Sequence, residues 1–253
     1  MLSRWTSSDA HRKVLGPTNS FLKYLAKIRM DIRYSNFGLC LELSRSIKER
    51  KMITQRIVTL NDISSILAHI KKSYNVGLIE ENRYNQYTAI VLFGAYTGQR
   101  SMATISKLTV DQFRNALVSE NPVLLVKSSH DKIRMKHYVP IHPNLVDLLS
   151  HLSEGKSEND LMFEYNSFWM WNKRQQIPMS HNGNHFVLGD LRKFAEQYGD
   201  VIGWEQSNRA YILTHGASGI DWKHYKHPMP EHVYDNYMKY WSDTHIGIQT
   251  PRI

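Results

Sequence analysis

Apolar and polar positions recur with different periods along this chain, and the changes of period divide it. Phe21, Leu22, Leu25, Ile28 and Ile32 repeat at near-helical spacing, and Leu39, Leu41, Leu43 and Ile47 do so more loosely. Gly16 and Pro17 are expected to break this first region into at least two short helical pieces. The segment KERKMITQRIVTLND is polar and lacks a long apolar stripe, so it reads as a connector, with a boundary near residue 55. Beyond it, Asn61 or Asp62 is placed to cap a helix whose apolar face is Ile63, Ile66, Leu67 and Ile70, ending near Tyr74 to Gly77. A longer helix carries Tyr87, Ile90, Val91, Gly94 and Ala95 on one face and closes at Thr97 and Gly98. The runs over 122–126 and 137–141 read as two strands joined by the polar turn SSHDKIRMK, with Pro140 suited to an edge. Helices are then expected over 144–152, 190–198, about 205–214 and 231–241. The fold class is therefore mainly α with a small antiparallel β-sheet, organised as a basic helical segment over 1–54 and a larger domain over 55–253.

Composition narrows the partners. The chain has 253 residues, 42% hydrophobic, which is enough to bury a substantial core. It contains no apolar run of the roughly 18 residues a membrane helix needs, so no membrane partner is expected. Cys40 is its only cysteine, which excludes a disulfide framework within one chain, and the stretch MLSRWTSSDAHRKVLGP lacks the apolar core of a secretory signal. An intracellular, cytoplasmic setting is expected. Thirty-two Lys and Arg against 23 Asp and Glu give a formal charge of +9, which favours a polyanion such as nucleic acid, because basic side chains release counterions from phosphates.

Three groups carry candidate chemistry. Arg100 follows Gly98 at the end of a buried-looking helix, with a successor helix expected in ATISKLTVDQF, so its guanidinium falls at a helix junction. There it can fork onto a phosphate, or merely cap the preceding helix. The turn between the strands offers Lys127, Lys132, Arg134 and Lys136, which suit either a solvated hairpin or a tip entering a DNA groove. Arg192 is followed 23 positions later by His215, and Tyr225 comes ten positions after that, beyond the glycine-containing stretch Gly216-Ala-Ser-Gly219. Each alone has an ordinary structural explanation; their spacing is what informs.

TGQR, the lysine-bearing hairpin ending in YVPIHP, DLRKF, LTHGAS and HYKHP stand in the order seen in tyrosine recombinases, the phage integrase family. In tone they resemble integrases of archaeal viruses and plasmids. The resemblance spans roughly residues 56 to 241 and implies a tyrosine recombinase catalytic domain preceded by part of a helical core-binding clamp, whose full form takes roughly 80 to 100 residues. It implies Arg100 and Arg192 as the arginine clamp on a phosphate, His215 as the histidine-or-tryptophan position, Tyr225 as the nucleophile and Lys132 as general acid, with Lys127 the alternative lysine. Tyr234 and Tyr237 are rival nucleophiles. Lys127, Arg134, Lys136 and Lys193 are the expected DNA contacts. Two departures stand out: Gly189 occupies the place of the histidine in HxxR, and Ala103 that of an acidic residue three after the first arginine.

The implied reaction is cleavage and rejoining of DNA through a 3′-phosphotyrosyl bond, without metal, ATP or other cofactor. The implied assembly is a homo-tetramer on two double-stranded DNA sites, with Val233, Tyr237 and Trp241 as a contact to a neighbouring subunit or as packing within their own domain. Two alternatives remain at this point: a type IB topoisomerase-like relaxer, and a DNA-binding module that keeps the fold without the chemistry.

Overall fold

The computed structural model describes residues 8–34, 56–181, 183–215 and 228–247. The chain divides into two compact units, Met1–Gln55 and Arg56–Ile253. In the first, helix α1 (Ser8–Arg29) continues without interruption through Pro17. The expected break at Gly16 and Pro17 does not occur. The residue before a proline avoids the helical region chiefly because its own Cβ and N–H crowd the proline ring, and Gly16 has no Cβ. The Ser20 hydroxyl also donates to the Gly16 carbonyl at 3.0 Å. Phe21, Tyr24 and Ile28 on this helix are more than half exposed. The looser apolar set from Leu39 to Ile47 lies outside the described residues.

The second unit begins where Arg56 forms an ion pair with Asp190, Nε to Oδ1 at 2.6 Å, and Gln197 donates to the Arg56 carbonyl at 2.9 Å. Helix α2 (Leu60–Asn75) follows. Its cap is Thr59 rather than Asn61 or Asp62: Thr59 and Asp62 bond reciprocally to each other's backbone amides, a capping box that puts Asp62 three residues inside the helix. Ile63, Ile66, Leu67 and Ile70 are buried, matching the stripe read from the sequence.

Helix α3 (Glu81–Thr97) is the centre of the unit, with buried residues on every face over its last three turns. It packs against α2, α5 (Pro143–Ser153), α6 (Tyr165–Gln175) and α7 (Gly189–Val201). Gly98 ends it in the left-handed conformation, φ 63°. The next α-helix does not start at once. Ser101 to Thr104 form turns, Ile105–Lys107 one turn of 3₁₀ helix, and α4 (Val110–Leu117) begins only after Thr109, which caps it through a box with Gln112. Extended backbone at Leu108 delays the start, because its carbonyl accepts from the Met162 amide at 2.9 Å.

Strands β1 (Val123–Val126) and β2 (His137–Pro140) pair antiparallel, Val123 opposite Pro140 and Val126 opposite His137. Pro140 has no N–H to give at the open end; the Ile141 amide supplies the closing bond to the Pro122 carbonyl at 2.9 Å. Helix α6 is an addition to the sequence reading. Helices α8 (Gln206–Ile212) and α9 (Pro230–Trp241) complete the described fold. Val233, Tyr237 and Trp241 of α9 are almost fully buried against their own domain, where Trp241 and Tyr237 stack at 5.5 Å. That face packs within its own domain, the second of the two readings made for it. Among the described residues no helix is long and apolar enough to cross a membrane.

Candidate functional site

Two glycines set the geometry. A Cβ on Gly94 would lie 2.6 Å from a Leu191 methyl, and one on Gly98 would lie 2.3 Å from a Leu213 methyl and 2.9 Å from the Ala195 Cβ. Only glycine lets the end of α3 come this close to α7 and to the chain leaving α8. Arg192, one turn into α7, uses that proximity: its Nη1 donates to the Gly98 carbonyl at 3.0 Å, and its Nη2 donates to the Leu213 carbonyl. Burial, and then the neighbouring Arg100, push the Arg192 guanidinium down to about 10, so it stays charged at neutral pH.

Arg100 arrives from the other side. Its Nη1 donates to the Asp131 carboxylate at 3.1 Å and to the Thr214 hydroxyl at 2.6 Å, while its Nε and Nη2 bond no described residue. His215 follows Thr214, is 40% exposed at its side chain, and has its Nδ1 3.4 Å from a Glu196 carboxylate oxygen. Burial and the charges of Arg192 and Arg100 hold its pKa below the usual histidine range, with Glu196 acting in the opposite sense. Three chain segments thus bring Arg100, Arg192 and His215 to one place.

The other expected residues lie as follows. Lys132 is exposed and directly follows the buried Asp131, which ties its loop to Arg100. Lys127 is exposed at the end of β1, Arg134 is exposed with φ 58°, and Lys136 and Lys193 are exposed. Tyr225 lies outside the described residues. Of its rivals, Tyr237 is fully buried and donates its hydroxyl to the Tyr96 carbonyl at 3.1 Å, and burial drives its pKa well above the usual phenol value. Tyr234 is 9% exposed, with its pKa raised by burial and then by Asp235. Gly189 stands exposed at the first turn of α7, with open space where a side chain would go.

Sequence reasoning missed Asp131, Thr214 and His137. His137 is buried beneath the arginines, with Nδ1 3.1 Å from the Met135 carbonyl and Nε2 3.2 Å from Gln99 Oε1. The Gln99 amide nitrogen donates to the Ile212 carbonyl at 2.9 Å, which fixes its oxygen toward His137. Asp131 did leave a signal: it is the only carboxylate between Glu120 and Asp147, set inside a basic turn.

This architecture has a known counterpart. The integrase from mycobacterium phage Brujita is similar to this chain with a TM-score of 0.52 at 13% identity, over 94% of this chain and 73% of that one. The fold is similar to that of a phage integrase. At that identity the likeness is one of fold. No protein-family model and no curated sequence matches the chain.

Proposed function

We propose that this chain is a tyrosine recombinase, a site-specific DNA strand transferase that integrates or excises a viral or plasmid element. The observation that carries the reading is the convergence of Arg100, Arg192 and His215 on a fold similar to that of a phage integrase. Arg100 offers its Nε and Nη2, unbonded among the described residues, and Arg192 adds a second permanent charge, to the nonbridging oxygens of one phosphodiester. His215 reaches the same oxygens through Nε2, the ring nitrogen opposite Glu196.

In the proposed step the Tyr225 hydroxyl attacks phosphorus as it gives its proton to solvent water. The P–O5′ bond breaks, and Lys132, with Lys127 the alternative, gives a proton to the departing 5′-oxygen. One phosphoester replaces another, so no external energy source enters. Rejoining to a different strand completes recombination. The basic surface formed by Lys127, Arg134, Lys136 and Lys193 holds the duplex. Residues 1–54 are read as part of a core-binding clamp on the DNA, and two sites as bridged by a tetramer.

A nicked suicide duplex tests the reading, because it loses the fragment needed for religation. The wild-type chain should form a denaturant-resistant protein–DNA adduct and Tyr225→Phe should not. An adduct that persists in Tyr225→Phe moves the nucleophile elsewhere. Salt-sensitive binding with no adduct on any duplex leaves a DNA-binding module, a reading favoured by the empty position at Gly189.

A further inference from the structure

Asp131 has its side chain 1% exposed inside a turn that carries Lys132, Arg134 and Lys136. A carboxylate so buried must be compensated, and its two oxygens divide the partners. Oδ2 accepts from the backbone amides of Ile133 at 3.0 Å and Met135 at 3.2 Å, which folds the loop that carries Lys132. Oδ1 accepts from Arg100 at 3.1 Å and from the Thr214 hydroxyl at 3.3 Å.

Thr214 closes the triangle, since the same hydroxyl accepts from Arg100 at 2.6 Å. To do so it adopts φ 51°, a left-handed conformation that a β-branched residue rarely takes and glycine takes freely. What glycine lacks is the hydroxyl. A strained residue held between two charged groups is a mark of function rather than of packing alone.

We propose that Asp131 and Thr214 are positioning residues that lock Arg100 and the Lys132 loop into one rigid unit, fixing the separation between the phosphate-binding arginine and the proton donor. This rests on the strand-transfer reading. Ala103 leaves the position three after Arg100 without a carboxylate, and Asp131 supplies one from the hairpin instead.

The test compares Thr214→Gly, Thr214→Ser and Asp131→Asn in the full chain. Single-turnover adduct formation on the nicked duplex is measured beside DNA affinity, thermal melting and amide exchange at Ile133 and Met135. Thr214→Gly should melt no lower than Thr214→Ser and bind DNA as the wild type does, yet form adduct about 10- to 100-fold more slowly, the cost of a misplaced group. Thr214→Ser should restore most of the rate. Asp131→Asn should slow the reaction similarly and speed exchange at both amides. Wild-type rates in Thr214→Gly, or a Thr214→Ser as slow as Thr214→Gly, overturn the proposal. If the wild-type chain forms no adduct, the strand-transfer reading fails by itself and the exchange data still decide the coupling. Thr214 does not touch the Ile133 or Met135 amide, so faster exchange there in Thr214→Gly supports the rigid unit, and unchanged exchange overturns it.

Discussion

The close approach of α3 to α7 can be broken with one methyl group. In Gly98→Ala the new Cβ falls 2.3 Å from a Leu213 methyl and 2.9 Å from the Ala195 Cβ, at a residue whose φ is +63°. The left-handed backbone alone costs roughly 1–2 kcal/mol with a Cβ present. Overpacking adds about 1–3 kcal/mol, because Leu213 and Ala195 are nearly fully buried and have little room to give. The sum, about 2–5 kcal/mol, corresponds to a fall in Tm of about 4–20 °C for a unit of this size. Gly203 supplies the control: its φ is +69° and nothing lies within 4 Å of its Cβ position, so Gly203→Ala carries the backbone cost alone. Scanning calorimetry of the two variants isolates the packing contribution. The Gly98 carbonyl also accepts from Arg192, so Gly98→Ala should weaken phosphate binding and slow adduct formation, while Gly203→Ala should not. Equal losses of Tm in the two variants would refute the claim that contact between α3 and α7 positions the arginines.

Three further outcomes are expected. Gly189→His has open space for its side chain at the first residue of α7, so it should melt close to the wild type and should raise the rate of adduct formation in single-turnover assays. Tyr237→Phe leaves the buried Tyr96 carbonyl without its partner, which should cost about 1–3 kcal/mol in urea titrations but leave adduct formation intact, unlike Tyr225→Phe. His142 is held neutral, its Nε2 donating to the Trp241 carbonyl and its Nδ1 accepting from the Asn144 amide, and burial pushes its pKa down to about 4. Because the folded pKa lies below the unfolded value of about 6.5, the unfolded state takes up the proton first. Stability from this site is complete above pH 6.5 and is lost as pH falls toward 4, by about 3 kcal/mol in all. Urea titrations across that range should show the slope flattened in His142→Gln.

Helices α2, α7 and α9 were legible because each buries residues at regular spacing against a partner whose identity the pattern need not specify. Helix α6 was not. Tyr165, Phe168 and Asn172 are buried while Trp169 and Met170 are about half exposed, so apolar residues stand on both faces and blur the period. The site divides in the same way. Arg100, Arg192 and His215 could be singled out by type and spacing, whereas Asp131 looks locally like one more polar residue in a solvated turn. Its burial is imposed by Arg100, 31 positions earlier, and by Thr214, 83 positions later. Nor does any local rule foresee Thr214, since propensity argues against a β-branched residue in the left-handed region. The capping of α2 was misread for a simpler reason: Asp62 is an excellent cap residue, but Thr59 is another, and only the pair together forms the box.

The charges at the site carry the strand-transfer reading one step further. Arg100 and Arg192 contribute two positive charges, and the buried Asp131 cancels one of them, which leaves a net charge suited to a phosphodiester monoanion in the ground state. On that reading, negative charge would build on phosphorus and on the leaving 5′-oxygen as the tyrosine attacks, with the arginine pair already balanced. The additional positive charge has to come from a group that meets the transition state more closely than the substrate, which is what raises a rate rather than an affinity. On the strand-transfer reading Lys132 is the group proposed for this: it is exposed, carried on the loop that Asp131 folds, and joined to Arg100 by the same carboxylate that reduces the charge of the arginine pair. Loss of Lys132 should therefore lower the rate of adduct formation with little change in DNA affinity, whereas loss of Arg192 should lower both.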